Sequence, residues 1–380
     1  MKKIYLDYNA TTPVAPSVLE LMTPFFAQHH GNPSSAHTHG RACAEVIDDS
    51  RGKLSTVIGC NADEIIFTGG GTEANNLALK GVFLKSPPSV TGHLIISAIE
   101  HPAITAPAKY LESLGVDLTV VDCDKNGVVQ PESVAAAIRS DTALVSIMHS
   151  NNEIGTIQPI GEIARICRAK NILVHTDASQ SVGKVPVNVD SLGVDMLTIA
   201  GHKFYGPKGV GALYLRSGVV LQQLLHGAGH ERGMRAGTEN TPGVVGLAAA
   251  ARLAAQAVDE SHARLSEMRN QLENALRANV EDLVIHGEDA ERLPNTSSVS
   301  FPGVTGIEIL NRCPEISAST GSACHSHGGV SSTLEAMNLP HDVQCGTIRL
   351  SLGWQTTQEE IERVSSLLVD AWEQLHQPTG

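Results

Sequence analysis

The residues best suited to chemistry lie in TIAGHKFYGPKG, residues 198 to 209, where a short apolar run ends in His202-Lys203 and a loop rich in glycine and proline. A lysine placed where a buried strand runs out is partly desolvated. Its ammonium form is disfavoured, and the neutral amine becomes free to form an imine with an aldehyde. Taken alone, a lysine at a strand end is more often a solvated surface residue, so its meaning depends on its companions. In GGGTEANN, Gly69, Gly70 and Gly71 let backbone amides turn toward an anion, and Thr72 opens a helical run whose positive end faces the same point. This reads as a phosphate cradle and not a P-loop, since no Gly-Lys-Ser/Thr follows.

An aldehyde cofactor bearing a phosphate and a pyridine ring needs one protein group for each part. The phosphate goes to the cradle and the aldehyde to Lys203. The ring nitrogen goes to a carboxylate that keeps it protonated, so that the ring can absorb electrons. Asp177, at the end of ILVHTD, is the natural carboxylate, and Gln180 three residues on can reach the ring hydroxyl. Asp177 has a second reading as the N-cap of the ASQS segment. His101 can stack flat on the ring, or be a strand-end histidine bonded to backbone.

The elements that must position these groups are legible from residue 64 to residue 216, where short β-rich runs alternate with helical stretches between Gly, Pro, Asn and Asp breaks. Strands are expected at 64–68, 93–98, 117–122, 143–149, 172–176, 195–200 and 211–215. Near-continuous apolar strands of this kind form a mostly parallel sheet covered on both faces, with ligands at the carboxyl ends of the strands. The glycine loop, Glu100-His101, Asn151-Asn152, Asp177 with Gln180, and His202-Lys203 each follow one such run. Five strand ends thus deliver their polar residues to one edge.

Beyond residue 240 the pattern changes. Val244 to about Val280 reads as a helix linking two parts of the chain. Shorter runs follow, with strands expected near LVIHG, SSVSF, ISAST and TIRLSLG. A last helix opens with the Thr357–Glu360 capping pattern and carries Ile361, Val364, Leu368, Trp372 and Leu375 on one face. The expected organisation is a large α/β domain at 13–255 and a smaller α+β domain made of 1–12 and 256–380.

Composition bounds the function. A chain of 380 residues with 42% hydrophobic residues and 35 glycines suits close-packed α/β layers. A formal charge of -13 and the lack of a basic stripe argue against a nucleic-acid partner. The start MKKIYLDYNATTP lacks a signal-peptide apolar region, and no apolar stretch is expected to approach about 18 residues; a cytoplasmic protein without a membrane partner is expected. Seven cysteines with no CxxC pair make neither a disulfide framework nor a structural zinc site, and most should be buried.

YLDYNATTP, GNPSS, TGGGTEANN, EH, NNEIG, HTDASQSVGK, GHKFYGPKGVGALY, RAGTENTP and GSAC, in this order, resemble a cysteine desulfurase of the class V aminotransferase family, over essentially the whole chain. The resemblance implies a pyridoxal phosphate (PLP) enzyme of fold type I, with a large domain built on a mostly parallel seven-stranded sheet. It implies that Lys203 holds PLP as an imine, Asp177 pairs with the pyridine nitrogen, Gln180 with the ring oxygen, and that His101 stacks on the ring. Gly71 and Thr72 in the glycine loop, together with His202, would bind the phosphate. Thr238 would reach the phosphate of a neighbouring subunit, hence a homodimer. Asn152 and Arg349 would hold the substrate amino acid, the arginine gripping its carboxylate as a fork.

Cys324, in TGSACHSHGG, matches the family's sulfur-accepting cysteine. The implied reaction takes sulfur from cysteine as a persulfide on Cys324 and releases alanine, with Lys203 as α-proton base and His101 as a candidate for the proton leaving the substrate thiol. A sulfur-acceptor protein is implied, for iron-sulfur assembly, for tRNA or DNA thiolation, or as a carrier. A metal site of Cys324 with His325 and His327 is disfavoured by the missing fourth ligand. Three departures stand out: Ala200 where relatives often carry serine, Trp354 after the Arg349 strand where arginine is commoner, and the CHSHGG loop. That loop is also similar to selenocysteine lyase, which keeps selenocysteine open as substrate beside cysteine. A non-catalytic scaffold of the same fold is the remaining alternative.

Overall fold

The computed structural model describes residues 3–85, 90–320 and 331–376. After a short strand β1 (Ile4–Tyr5) come the seven strands of one sheet: β2 (Ile65–Thr68), β3 (His93–Ser97), β4 (Asp117–Val121), β5 (Thr142–Ser146), β6 (Leu173–Asp177), β7 (Met196–Ala200) and β8 (Gly211–Leu215). Their order is β2-β8-β7-β6-β5-β3-β4, and only β8 runs against its neighbours. This is the mostly parallel sheet expected from the apolar runs.

Alternate side chains explain why both faces must be covered. Ile95, Val145, Leu197 and Ile199 enter a core with the helices Thr38–Ile58, Ile160–Arg168 and the first part of Thr241–Asn279. Leu94, Ile96, Leu144 and Met196 face the other way, onto Gly71–Phe83 and Pro102–Ser113. A period of two within each strand thus serves two separate cores.

One expected strand is shorter than its apolar run. β5 stops at Ser146, although the run continues to His149. Ile147 and His149 still donate to the β6 carbonyls of His175 (3.2 Å) and Asp177 (2.9 Å), but the chain has left β3 and turns back through a bridge between Ser150 and Ile157. That departure places Asn151 and Asn152 at the sheet edge.

The linking helix starts at Thr241, three residues before the expected Val244, because Asn240 caps it by accepting the Gly243 amide at 3.1 Å and Pro242 sits in its first turn. Against the expectation that no apolar stretch reaches that length, this helix is long and apolar enough by composition to cross a bilayer, yet half of its apolar stretch is buried inside the protein. Leu247, Ala250, Ala251 and Ala254 pack under the central sheet, and Leu265, Met268, Leu272 and Leu276 enter a second core.

That second core is closed by β9 (Val284–Ile285), β10 (Thr296–Ser300) and β12 (Thr347–Ser351), an antiparallel sheet of order β12-β10-β9, and by the helix Gln358–His376. Thr357 and Glu360 cap the helix reciprocally. The run ISAST meets this sheet only at its end, through an isolated bridge between Ser319 and Arg349. Its strand β11 (Ile316–Ser317) pairs in parallel with β1, bringing Ile4 and Leu6 into the second core. From Tyr8 the chain then crosses to the end of β7, where Thr12 binds the His202 carbonyl.

Candidate active site

The carboxyl ends of the sheet strands open on a cavity of about 190 Å³. Gly71, Thr72, His101, Asn152, Asp177, Gln180, His202 and Lys203 all line it. Sequence reasoning passed over Asn75, Ser150 and Ser179, which line it too.

Lys203 ends the turn of helix that follows β7, and its amine donates to the carbonyls of Asn9 (2.7 Å) and Ala10 (2.9 Å). Burial, and then the Arg349 guanidinium, pull its pKa down to about 8, against the opposing pull of Asp177 and Asp7. A substantial share of this amine is therefore neutral near physiological pH.

Asp177 is buried at the end of β6, its Oδ2 accepting from Asn75 Nδ2 at 2.7 Å and its Oδ1 from the Ser179 amide at 2.9 Å. The Ser179 contact is the capping geometry considered for the ASQS segment, so the capping and site readings hold together. Two residues earlier on the same strand, His175 bridges Ser146 Oγ (2.8 Å) and Thr198 Oγ1 (3.0 Å) across β5, β6 and β7. Burial lowers its pKa to about 4, so it is a neutral strut.

His101 caps the helix Pro102–Ser113, its Nδ1 accepting the Ala103 amide at 3.0 Å. Desolvation lowers its pKa, with Asp177 opposing and Lys203 reinforcing the shift. Because Nδ1 is engaged as an acceptor, the neutral ring carries its proton on Nε2. As placed, the ring presents an N–H at Nε2 to hydrogen-bond acceptors, while its basic nitrogen Nδ1 is held by the Ala103 amide. Behind it, Glu100 is fully buried, with Oε1 accepting from Ser97 Oγ (2.6 Å) and the Met148 amide (2.8 Å).

At the cradle, Gly70 takes φ +148°, which requires glycine, and a side chain on Gly71 would press on Ser179 Oγ at 3.1 Å and Ala200 Cβ at 3.2 Å. The unpaired amides at the start of Gly71–Phe83 point to this space. His202 bonds Thr11 Oγ1 at 3.2 Å through Nδ1, and burial, followed by Lys203, Lys208 and Lys184, pulls its pKa to about 4. It is a neutral N–H donor and not an imidazolium. Ala200 offers no hydroxyl here, but Ser179 lines the same wall.

Arg349 does not line the cavity. It lies on β12 behind Asn152, with Nη1 donating to the Asn152 carbonyl (2.9 Å) and Nη2 to Asp7 Oδ1 (2.7 Å). Its Nε is buried without a partner among the described residues. The guanidinium is therefore paired with Asp7 in this state instead of presenting the free fork that was expected. Thr238 is exposed and stands apart from the cavity. Cys324, His325 and His327 lie outside the described residues. Of the other six cysteines, Cys43, Cys167 and Cys313 are buried and Cys60, Cys123 and Cys345 half-buried, so half of them, and not most, are fully inside. Burial pushes Cys60 and Cys167 up to about 12 and Cys123 and Cys313 to about 11, which makes them poor thiolates.

The unforeseen member of the site is Asn9. Its carbonyl accepts from both Lys203 and Gln180 Nε2 (2.9 Å), and its side chain contacts Lys184, Asn152, Asn295 and Thr296. The only sequence signal was its place in YLDYNATTP.

Residues 4–364 match the family model described as Aminotransferase class-V. The chain belongs to the class-V aminotransferase family. A cysteine desulfurase IscS of Dictyoglomus turgidum is 45% identical over 371 residues, covering 97% of this chain and 94% of the relative. Among solved structures, a NifS-like protein superposes with TM-score 0.90 at 38% identity, covering 98% of this chain and 99% of the other. A structure of SspA in complex with cysteine gives TM-score 0.83 at 37% identity over 92% of this chain and 99% of that one.

The cofactor of this class-V aminotransferase is pyridoxal phosphate, and the cavity fits it. A buried carboxylate held by two N–H donors suits a protonated pyridine nitrogen. A glycine-lined helix start suits the phosphate, and an amine depressed toward neutrality suits the aldehyde.

Proposed function

We propose that this protein is a PLP-dependent cysteine desulfurase, converting L-cysteine to L-alanine and taking the sulfur as a persulfide on Cys324. The observation that carries the reading is the Lys203 amine, enclosed at the end of β7 beside Asp177 and His101 in a cavity of amino-acid size. Bound there, the cofactor supplies an electron sink for the pair left when the substrate α-proton departs.

The chain's own residues do the rest. Lys203 holds the cofactor and, with its lowered basicity, moves the α-proton. Asp177 would keep the ring nitrogen protonated, Gln180 would serve the ring oxygen, and His101 would stack on the ring and take the proton leaving the substrate thiol when Nδ1 releases the Ala103 amide. Gly71, Thr72 and His202 take the phosphate with neutral N–H and O–H donors. Asn152 and Arg349 receive the substrate carboxylate, the arginine exchanging its Asp7 contact for it; the unpartnered Nε supports this part.

A homodimer is supported by two features. An open groove of about 850 Å³ reaches the phosphate end of the site past Gly69, Thr72 and His202, and Thr238 stands exposed, free to enter such a groove on a second copy. The division into 13–255 and the pair 1–12 with 256–380 is supported by two separate apolar cores. The named relatives support a sulfur-acceptor protein as partner, with iron-sulfur assembly one such route. Acidic composition and six free thiols support a cytoplasmic location. The relatives reported favour cysteine over selenocysteine as substrate.

Lys203→Ala should lose both the absorbance of bound cofactor and alanine formation from cysteine. A variant that still releases alanine at the wild-type rate overturns this reading.

A further inference from the structure

A second lysine stands behind the site. Lys184 shares the wall of a narrow pocket with Lys203, and its amine donates to Gln180 Oε1 at 2.6 Å and to Asn9 Oδ1 at 3.0 Å. The two ends of a carboxamide are nearly alike in shape, so the Lys184 amine donating to Oε1 and the Asn9 carbonyl accepting from Nε2 together decide which end is which. With Oε1 taken by Lys184, the Gln180 nitrogen must point the other way. One of its hydrogens goes to the Asn9 carbonyl at 2.9 Å, and the second is what Gln180 has left to offer the cavity it lines.

The same amine orders Asn9. Asn9 Oδ1 accepts from Lys184 and from Asn295 Nδ2 (3.1 Å), so its Nδ2 is directed to Thr296 Oγ1 (2.8 Å) and the Asn152 carbonyl (3.2 Å). The Asn9 carbonyl is thereby fixed where the Lys203 amine meets it at 2.7 Å. Burial, and then Lys203 and Arg349, pull the Lys184 pKa well below that of an ordinary lysine, while Asp177 and Asp7 act on the Lys203 end of the group.

We propose that Lys184 is a positioning residue: by orienting the Gln180 amide it makes the group facing the cofactor ring oxygen an N–H donor and not a carbonyl. The proposal rests on the PLP reading. A donor on that oxygen stabilises its anionic form and so lowers the basicity of the cofactor-bound Lys203 nitrogen. Without the donor that nitrogen becomes more basic.

The experiment is an absorbance titration against pH of the cofactor-loaded enzyme, in wild type, Lys184→Met, Lys184→Arg, Gln180→Ala and the Met/Ala double variant. Lys184→Met and Gln180→Ala should each move the midpoint upward by about one unit, roughly tenfold in proton affinity. The double variant should move it no further, and Lys184→Arg, which keeps the donor, should stay near wild type. An unmoved midpoint in Lys184→Met or Gln180→Ala overturns the proposal, as does a double variant in which the two shifts add. Should Lys184→Met not fold, an unmoved Gln180→Ala or a shifted Lys184→Arg still overturns it. A wild type with no cofactor absorbance at all sinks the PLP reading instead.

Discussion

In the cofactor-free protein Lys203 should titrate near pH 8, not at the 10.5 of an ordinary lysine, because burial and the Arg349 charge both work against its ammonium. The consequence is large. Near pH 7.5 a lysine with pKa of about 8 is roughly 24% neutral, against about 0.1% at an ordinary pKa, a gain of about 240-fold in reactive amine. The assay is the rate at which cofactor-free enzyme forms an imine with an aldehyde as pH is raised, since the rate follows the neutral amine and levels off above its pKa. The predicted plateau begins above pH 8, and Arg349→Gln should move it upward by removing the second-largest cause of the shift. The sign of the stability effect follows from the same shift. A lysine depressed in the fold costs stability when charged, so the cost is complete below the folded pKa of about 8 and fades as pH rises toward 10.5. A rate that keeps climbing in proportion to hydroxide through the plateau region, as for a solvated lysine, would refute the reasoning.

Asn75→Leu removes the 2.7 Å donor to Asp177 Oδ2 and should weaken cofactor binding about 10- to 100-fold, the value of a hydrogen bond to a charged group. The fold should hold, because Asn75 Oδ1 is buried without a partner among the described residues and its loss relieves that cost; a cofactor titration and a thermal melt separate the two effects. Glu100 has its pKa raised to about 8 by burial, so the folded protein holds a proton there that the unfolded chain gives up above pH 4.5. Stability should therefore fall as pH rises from 4.5 to 8. Glu100→Gln should flatten that slope and be the more stable form at pH 8 by roughly 2–5 kcal/mol, read from denaturant midpoints across that range.

The sheet was legible because each strand announces itself locally: β7 is five consecutive buried residues, and its end at Ala200 places Lys203 without knowledge of any other strand. The strand ends then bring Gly71, His101, Asn152, Asp177 and Lys203 to one edge through topology alone. What stayed hidden depends on pairs far apart in the chain. Asn9 meets Lys203 across 194 residues and Arg349 meets Asp7 across 342, and neither partner carries a periodic signal. β1 is two residues long and exists only through its pairing with β11. His101 shows a further limit: its type marked it as able to handle protons, but only the Ala103 amide on Nδ1 shows which nitrogen carries the hydrogen.

The central claim is tested most directly by incubating the cofactor-loaded protein with cysteine and measuring alanine together with persulfide on Cys324, in wild type and in Cys324→Ser. The account predicts one alanine for each sulfur taken, and loss of both products in the variant while cofactor absorbance is kept. Wild-type protein that binds its cofactor yet releases no alanine from cysteine, or a Cys324→Ser variant that releases it at the full rate, would contradict it.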